Sequence, residues 1–149
     1  MISDLRPKVL HIITGLNDGG AEAVLYRLVT RDRDHRHAVI SLSGAGKYGP
    51  LLQADGIAVD NLDITPSRPS PVRLARLVRL VKQHDPDIVQ TWMYHGDLLG
   101  GLAARLAGKR RIVWGLLRAV SAVFLLAVAL SVLWAVINPP TTAYMFSEG

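Results

Sequence analysis

The sequence predicts an α/β fold, a parallel sheet with flanking helices, followed by one C-terminal transmembrane helix. Short β-branched runs alternate with helix-like segments over the first 115 residues, and strict alternation implies βαβ units with right-handed crossovers. Residues 119–137 carry no charge. As a helix that stretch spans roughly 28 Å, close to the hydrocarbon thickness of a bilayer. We therefore expect a domain at 1–115, a transmembrane helix at 116–138 and a short tail at 139–149.

The individual elements follow from local residue patterns. Runs rich in β-branched residues predict five strands, at 8–14, 37–43, 58–62, 87–90 and 111–114. Helical periodicity predicts four helices between them, at 21–29, 51–54, 72–82 and 97–106. This order of elements is typical of a Rossmann-like sheet.

Several residues at the element boundaries favour particular helix ends. Asn17 or Asp18 is placed to cap the first helix, Pro71 to occupy the first turn of the third, and Gly108 to end the fourth. His11 lies inside the first strand, and we expect it to be a core or sheet-face residue.

The basic residues of the third helix form a stripe, which accounts for part of the net charge of +5. Arg73, Arg76, Arg79 and Lys82 recur every three residues, opposite an apolar face. The stripe is either a solvated helix face or a surface that attracts anionic lipid or a phosphate-bearing lipid substrate. No aromatic residues interleave with it to stack bases, so we expect no nucleic-acid partner.

The chain contains no cysteine, which excludes disulfide frameworks and thiolate metal sites. The first eight residues lack the apolar segment of a signal peptide. Lys109, Arg110, Arg111 and Arg118 precede the uncharged stretch, and no charge follows it until Glu148. The positive-inside rule therefore predicts a single-pass protein of the inner (cytoplasmic) membrane with its N-terminal domain in the cytoplasm.

The loop after the first strand carries the first candidate site. Residues 15–22, GLNDGGAE, form a glycine-rich turn that leads into a helix N-terminus. Free N–H groups at such a terminus attract phosphate, and ligands of open α/β sheets bind beyond the carboxyl ends of the strands. The spacing gives neither GxGxxG nor a P-loop. A simple turn without a ligand remains an alternative.

The loop after the fourth strand carries the second candidate site. It places Trp92, Tyr94, His95 and Asp97 at the same edge of the predicted sheet. The histidine is either a ligand-crevice residue or a structural hydrogen-bonding group. Asp97 is alternatively the N-cap of the next helix.

At these two loops the sequence resembles the N-terminal half of a retaining glycosyltransferase of family 4. The resemblance runs from about Lys8 to Gly115 and rests on GGAE at 19–22 and on PDIVQTWMYHGDLLGG at 86–101. It implies one half of a GT-B fold, in which two Rossmann-like domains face each other across a cleft. It also implies sugar transfer from a nucleotide-sugar, without a metal or other cofactor.

The resemblance further implies roles for individual residues. We expect His95 to be catalytic, and we expect six residues to contact substrate: Gly19, Gly20, Glu22, Trp92, Tyr94 and Asp97. The expected partners are a nucleotide-sugar, a lipid-linked or glycan acceptor, the membrane and a missing second GT-B domain.

The region after Gly115 departs from that family, because it offers no second domain to hold the nucleotide-sugar. Residues 118–145 instead resemble the membrane anchor of the monofunctional peptidoglycan transglycosylases of family 51. We expect a hexosyltransferase acting on a cell-envelope polysaccharide or glycolipid, in a chain that is incomplete or fused and inactive alone. The alternatives are a membrane-tethered, non-enzymatic binding module, an anchor fragment of a transglycosylase, and a small dinucleotide-dependent enzyme.

Overall fold

A computed structural model describes residues 5–63, 70–115, 126–134 and 137. Its five strands are β1 (Lys8–Ile13), β2 (Arg36–Ser41), β3 (Ala58–Asn61), β4 (Ile88–Trp92) and β5 (Ile112–Trp114). Three helices lie between the first four strands, namely α1 (Gly20–Arg31), α2 (Tyr48–Ala54) and α3 (Pro71–His84). A continuous helical segment, residues 93–106, connects β4 to β5, and we refer to it as α4.

The strands form one parallel sheet in the order β3-β2-β1-β4-β5. The register pairs His11 of β1 with Val39 of β2 and with Gln90 of β4. The chain leaves β1 toward one side of the sheet and returns to β4 on the other, so the strand order reverses between β1 and β4. Open α/β sheets bind ligands at such a reversal. The predicted Rossmann-like parallel sheet is confirmed.

Each face of the sheet is covered by its own apolar cluster. Leu10, Ile12 and Val89 pack with Leu77 and Val81 of α3 on one face. On the other face, Ile13 and Val39 pack with Leu25 and Val29 of α1. Because both faces are covered, the central strands are nearly continuous runs of buried residues, as parallel strands require.

Glycines allow α4 to lie unusually close to the sheet. The segment begins with one helical turn (Met93–His95), widens to a π-helix (Gly96–Gly100) and ends as an α-helix (Gly101–Leu106). A Cβ atom at Gly96 would lie 3.0 Å from the carbonyl oxygen of Ile12, and one at Gly100 would lie 2.9 Å from the Ile12 side chain. Only glycine fits this approach, and π-turns within helices are frequent at functional sites.

The boundary predictions have mixed outcomes. Pro71 is the first residue of α3, and Gly108 follows α4 with a φ of 80°, so both predictions are confirmed. The cap assigned to Asn17 or Asp18 is wrong, because Gly19 is the N-cap and has no capping side chain. Asp97 is not an N-cap either, because the helical segment begins four residues earlier. The fourth strand was predicted to end at residue 90 but continues through Trp92.

The chain divides into two compact units, Met1–Leu117 and Arg118–Gly149. In the second unit, residues 126–134 are helical, and the apolar side chains Leu126, Leu130 and Trp134 are exposed. Within the part of the chain that the structure describes, no helix is both long and apolar enough to cross a membrane. Most of the predicted span at 116–138 and of the anchor-like segment at 118–145 lies outside the described residues.

Candidate functional site

The two loops singled out in the sequence meet at the reversal of strand order, where β1 and β4 end side by side. The register places Ile13 opposite Trp92, and the backbone N–H of Gly96 donates to Thr14 Oγ1 at 3.3 Å. We call the space between the two loops, residues 14–20 and 93–96, the crevice. Residues 82 positions apart in the sequence thereby come together at the carboxyl edge of the sheet.

The N-terminus of α1 forms one wall of the crevice. Gly19 is extended, with a φ of −138°, and contributes no capping side chain. The N–H groups of a first helical turn have no partner within the helix, and they carry the positive end of the helix dipole. A Cβ atom at Gly20 would meet no atom within 4 Å, so open space lies in front of this residue. The wall is suited to an anionic group approaching the backbone.

Glu22 is a charged residue in this wall, and its side chain turns back toward the start of the helix. The residue is 7% exposed. A side chain at Gly19 would overlap the Glu22 carboxylate. A carboxylate in the first turn is favoured by the helix dipole. Glu22 therefore occupies part of the positive potential that a bound anion would use, and Gly19 provides the room for it.

The first loop is held by the loop between β2 and α2. Ser43 N donates to Thr14 O at 3.0 Å, and Tyr48 N donates to Leu16 O at 2.9 Å. Gly46, with a φ of 51°, lies directly against the backbone of Leu16, where any side chain would collide. These contacts fix the position of the α1 N-terminus although the loop contains little regular structure.

The second loop begins with a backbone conformation that is costly for its residue. Met93 has a φ of 65°, in the left-handed region that non-glycine residues seldom adopt. Such strain persists where the surrounding structure imposes it, and it concentrates at functional sites. Here it turns the chain from β4 into α4 and brings Tyr94 and His95 to the surface. Their rings stand edge to face at 5.2 Å.

Asp97 supports this loop from below. It is fully buried and accepts a hydrogen bond of 2.6 Å from Thr91 Oγ1. The structure thus brings His95 and Tyr94 to the surface and places Asp97 beneath them, as a residue that fixes the loop.

Trp92 lies at the end of β4 but its indole points back into the domain. Its Nε1–H donates to His11 Nδ1 at 3.1 Å, and His11 Nε2 lies 3.0 Å from His37 Nδ1. We call Trp92, His11, His37 and Asp32 the histidine row. His37 Nε2 lies 3.3 Å from Asp32 Oδ2 but makes no hydrogen bond. His11 is buried as predicted, but its partners His37 and Asp32 were not identified from the sequence. The sequence offered one signal for this contact, the presence of a histidine in each of two consecutive predicted strands. The register between those strands was unknown, so the contact could not be predicted.

Burial keeps the histidines of this row neutral. Desolvation, helped by the neighbouring His37 and opposed by Asp32, lowers the pKa of His11 to about 3. Desolvation also lowers the pKa of His37, again opposed by Asp32. Because an indole N–H only donates, His11 Nδ1 must accept and its proton must sit on Nε2. That proton is donated to His37 Nδ1, which places the proton of His37 on Nε2.

Among the residues that the structure describes, no group of three or more acidic or histidine side chains could hold a metal ion. The described part of the crevice presents backbone N–H groups at the start of α1, the exposed ring of Tyr94 and the exposed imidazole of His95.

The sequence profile of Glycosyltransferase Family 4 matches residues 18–116, more than half of the chain. This chain belongs to Glycosyltransferase Family 4. The match includes residues 93–96 of the crevice and residues 18–20 of its first loop, and it confirms the resemblance drawn from GGAE and from residues 86–101. No protein with a curated description matches the sequence significantly.

Solved structures resemble this family 4 chain in fold. HepE of Anabaena in complex with UDP has a TM-score of 0.58 at 24% identity, over 72% of this chain and 28% of that one. MurG of Acinetobacter baumannii has a TM-score of 0.52 at 20% identity, over 72% and 34%. A UDP-N-acetylglucosamine 2-epimerase has a TM-score of 0.54 at 21% identity, over 73% and 31%. The chain thus spans about a third of the length of these proteins, and the likeness establishes half of a GT-B fold.

Proposed function

We propose that this chain is the acceptor-side half of a glycosyltransferase that moves a hexosyl group from a nucleotide-sugar to a cell-envelope polysaccharide or glycolipid. One observation carries the proposal: the loop that leads into the GGAE motif and the loop after β4 meet at the carboxyl edge of the sheet, joined by the hydrogen bond between Gly96 N and Thr14 Oγ1. Both motifs lie within the family match at residues 18–116. The fold neighbours solved with UDP, or named for a UDP-sugar, support a nucleotide-sugar as the ligand class.

Within this proposal each wall of the crevice has a task. The α1 N-terminus, with Gly19 as its N-cap and Gly20 as its first residue, receives a phosphate or an acceptor oxygen through the backbone N–H groups of the first helical turn. The exposed imidazole of His95 is the group that exchanges a proton with the reacting hydroxyl or stabilises charge beside it. Tyr94, 61% exposed, offers its ring to a sugar face. Trp92 contributes through its position at the end of β4.

The proposed reaction uses the nucleotide-sugar as substrate and no resident cofactor or metal. The acceptor is lipid-linked or a glycan, and no nucleic acid takes part. A second GT-B domain supplies the rest of the donor site, so the chain described here is incomplete or fused. This division of labour agrees with the fact that the chain spans about a third of the length of its fold neighbours.

Gly20 provides a sharp test, because a Cβ atom there meets no protein atom within 4 Å, so a larger side chain would occupy the open space in front of the α1 N-terminus. We expect the full chain to bind UDP or UDP-glucose weakly and the variant Gly20→Leu to lose that binding. Ala54→Leu is the matched control, because it adds an equal side chain to an exposed helix end. Amide chemical-shift changes in residues 14–20 and 93–96 report the binding. Equal binding by Gly20→Leu would place the ligand elsewhere and defeat the proposal.

We also propose that residues 116–138 anchor the chain in the inner membrane with the N-terminal domain in the cytoplasm. The uncharged stretch and the exposed apolar side chains of helical residues 126–134 support this. Ser3→Cys and Ser147→Cys, made separately in this cysteine-free chain, are to be labelled in intact cells with an impermeant maleimide. We expect labelling of Ser147→Cys alone, and the reverse result would contradict the topology.

The anchor supports a second candidate, a membrane-tethered binding module without enzymatic activity. In that case the crevice binds a nucleotide or lipid-linked ligand, and no partner domain restores transfer. A transglycosylase anchor fragment would show neither binding nor transfer. The UDP titration therefore separates the last candidate from the first two.

A further inference from the structure

A second cavity, of about 490 Å³, lies at the amino edge of the sheet, opposite the crevice. It is bordered by the first residues of the strands, Lys8, Arg36 and Ala58, and by the chain that follows α1. The volume is within the range of small-molecule sites. We propose that this cavity binds a phosphate monoester that also carries hydroxyl groups, such as a sugar phosphate.

The lining is strongly cationic. Four basic residues, Arg6, Lys8, Arg33 and Arg36, border the cavity with two acidic residues, Asp32 and Asp55. The basic residues outnumber the acidic ones in this lining. A phosphate monoester carries about −1.5 to −2 charges at pH 7, so a lining of this composition attracts it.

Hydrogen bonds to the backbone hold the cationic wall in place. Arg36 Nε donates to Arg6 O at 3.2 Å, and Arg6 Nη1 donates to Arg33 O at 3.0 Å. Lys8 Nζ donates to His84 O at 2.6 Å. Burial lowers the pKa of Lys8, and the nearby Arg36 guanidinium lowers it further. Like charges are thus held close together, which an anion between them would relieve.

His37 adds a buried donor to the same cavity. Its side chain is 4% exposed and borders the cavity, and its Nε2 makes no hydrogen bond. The histidine row assigns the proton of neutral His37 to this nitrogen, because His37 Nδ1 accepts from His11. Asp32 Oδ2 lies 3.3 Å away and also lies 2.9 Å from His35 Nδ1, so His37 shares this oxygen with a second imidazole. An anion oxygen would therefore satisfy a donor that the protein leaves without a well-aligned acceptor.

The two carboxylates explain why we specify hydroxyl groups on the ligand. Asp32 and Asp55 border a cavity whose excess charge is positive, and each already accepts a hydrogen bond, from Asp34 N and from Tyr26 Oη. Their remaining lone pairs are acceptors that a phosphate cannot use and that sugar hydroxyls can. Inorganic phosphate should accordingly bind more weakly than a sugar phosphate.

The test uses the full chain in detergent and follows the imidazole resonances of His35 and His37. We expect glucose 1-phosphate to shift both resonances in a saturable way, inorganic phosphate to do so at higher concentration, and glucose to have no effect. Arg33→Gln should weaken the binding at least about fivefold, since a charge-assisted hydrogen bond is lost. This variant leaves the backbone oxygen that Arg6 uses. Arg79→Gln, on the exposed face of α3, is the control and should bind as the parent does.

Vesicles distinguish the source of the phosphate group. Binding of phosphatidic acid vesicles, but not of phosphatidylcholine vesicles, that Arg33→Gln weakens would identify a lipid headgroup as the source. The proposal is overturned if neither glucose 1-phosphate up to about 10 mM nor the acidic vesicles shift His35 and His37. It is also overturned if Arg33→Gln and Arg79→Gln respond equally. Because the crevice lies at the other edge, Gly20→Leu should leave this binding unchanged, so the two proposals fail independently.

Discussion

The two edges of the sheet, at which we propose two separate anion-binding sites, present different chemical groups. At the carboxyl edge, the crevice presents glycines, backbone N–H groups, the exposed ring of Tyr94 and the exposed imidazole of His95. At the amino edge, the lining of the cavity includes four basic residues, two acidic residues and a buried histidine. Backbone recognition requires exact placement of loops, whereas recognition by long cationic side chains tolerates variation in the loops. The comparison indicates that the carboxyl edge is the geometrically demanding site.

The histidine row lies between the two edges. It extends from Trp92, beside the crevice, to Asp32, which borders the cavity. The indole N–H of Trp92 fixes which ring nitrogen of His11 carries a proton, and His11 in turn fixes the tautomer of His37. The hydrogen-bonding state of His37 therefore depends on a residue at the other edge. The two sites are therefore chemically different but share a structural element.

The largest expected effect is the absence of sugar transfer by the isolated chain. Alignment of donor and acceptor is worth roughly 7 to 11 kcal/mol of barrier, and a GT-B enzyme obtains it by closing two domains. Offered UDP-sugars and a polyprenyl-phosphate or glycolipid acceptor, the chain should show no turnover above background in a product assay. Adding the second domain of a related family 4 enzyme should restore some donor binding. Robust turnover that His95→Ala abolishes would mean that the carboxyl edge is a complete site.

The next effect concerns the row that joins the edges. The pKa of the His11 imidazole is about 3 in the folded protein and about 6.5 in the unfolded chain. Between about pH 6.5 and pH 3, therefore, the imidazole is protonated in the unfolded chain but stays neutral in the folded protein. The free energy of unfolding should therefore fall as the pH drops from about 6.5 to 3, and it should be fully recovered above 6.5. Each pKa unit corresponds to about 1.4 kcal/mol, so the loss is several kcal/mol.

Urea unfolding at a series of pH values measures this slope. His11→Gln should be less stable at pH 7 but should show a shallower loss in acid, since carboxylate titration is common to both proteins. His37 also has a lowered pKa and contributes to the remaining slope. Parallel curves for the two proteins would show that His11 does not govern the acid sensitivity.

A smaller effect tests whether glycine is needed for the close packing of α4 against β1 at the carboxyl edge. Gly96→Ala places a Cβ atom 3.0 Å from the carbonyl oxygen of Ile12, which is backbone and cannot move aside freely. We expect a loss of about 1–3 kcal/mol, as for other overpacked positions. Gly20→Ala is the matched control, because its Cβ meets no neighbour. Thermal unfolding compares them, and equal stability would mean that α4 has room to move away from β1.

The smallest effect tests whether charge matters at the carboxyl edge. Lys47 pairs with Asp18 at 2.8 Å beside the first loop, and both side chains are mostly exposed. Solvent screens such pairs, so Lys47→Met should leave the midpoint of thermal unfolding unchanged within error. It should also leave UDP binding unchanged, in contrast to the effect of Arg33→Gln on phosphate binding at the other edge. A marked loss of UDP binding in Lys47→Met would reduce the difference between the edges.

Local sequence patterns by themselves determined the class of fold and the location of the candidate site. β-branched runs and apolar periodicity predicted all five strands, and Pro71 and Gly108 marked helix ends because their backbone preferences act locally. The motif residues 19–22 and 86–101 led to the right family, since recognition of a motif requires no knowledge of contacts.

Only the tertiary structure decided the strand order, the π-turn in α4, the histidine row and the cationic cavity. Trp92 and His11 are 81 residues apart, and His11 and His37 are 26 apart, so their contact depends on the register of three strands. In the folded domain β4 extends to Trp92, and the Trp92 indole donates to His11. The sequence around Trp92 looked like a loop and predicted neither result. Local propensity sets which residues form an element. Which elements pack together is set by the burial of apolar surface across the whole sheet. The total buried area depends on all the elements at once, so no short segment of the sequence predicts it.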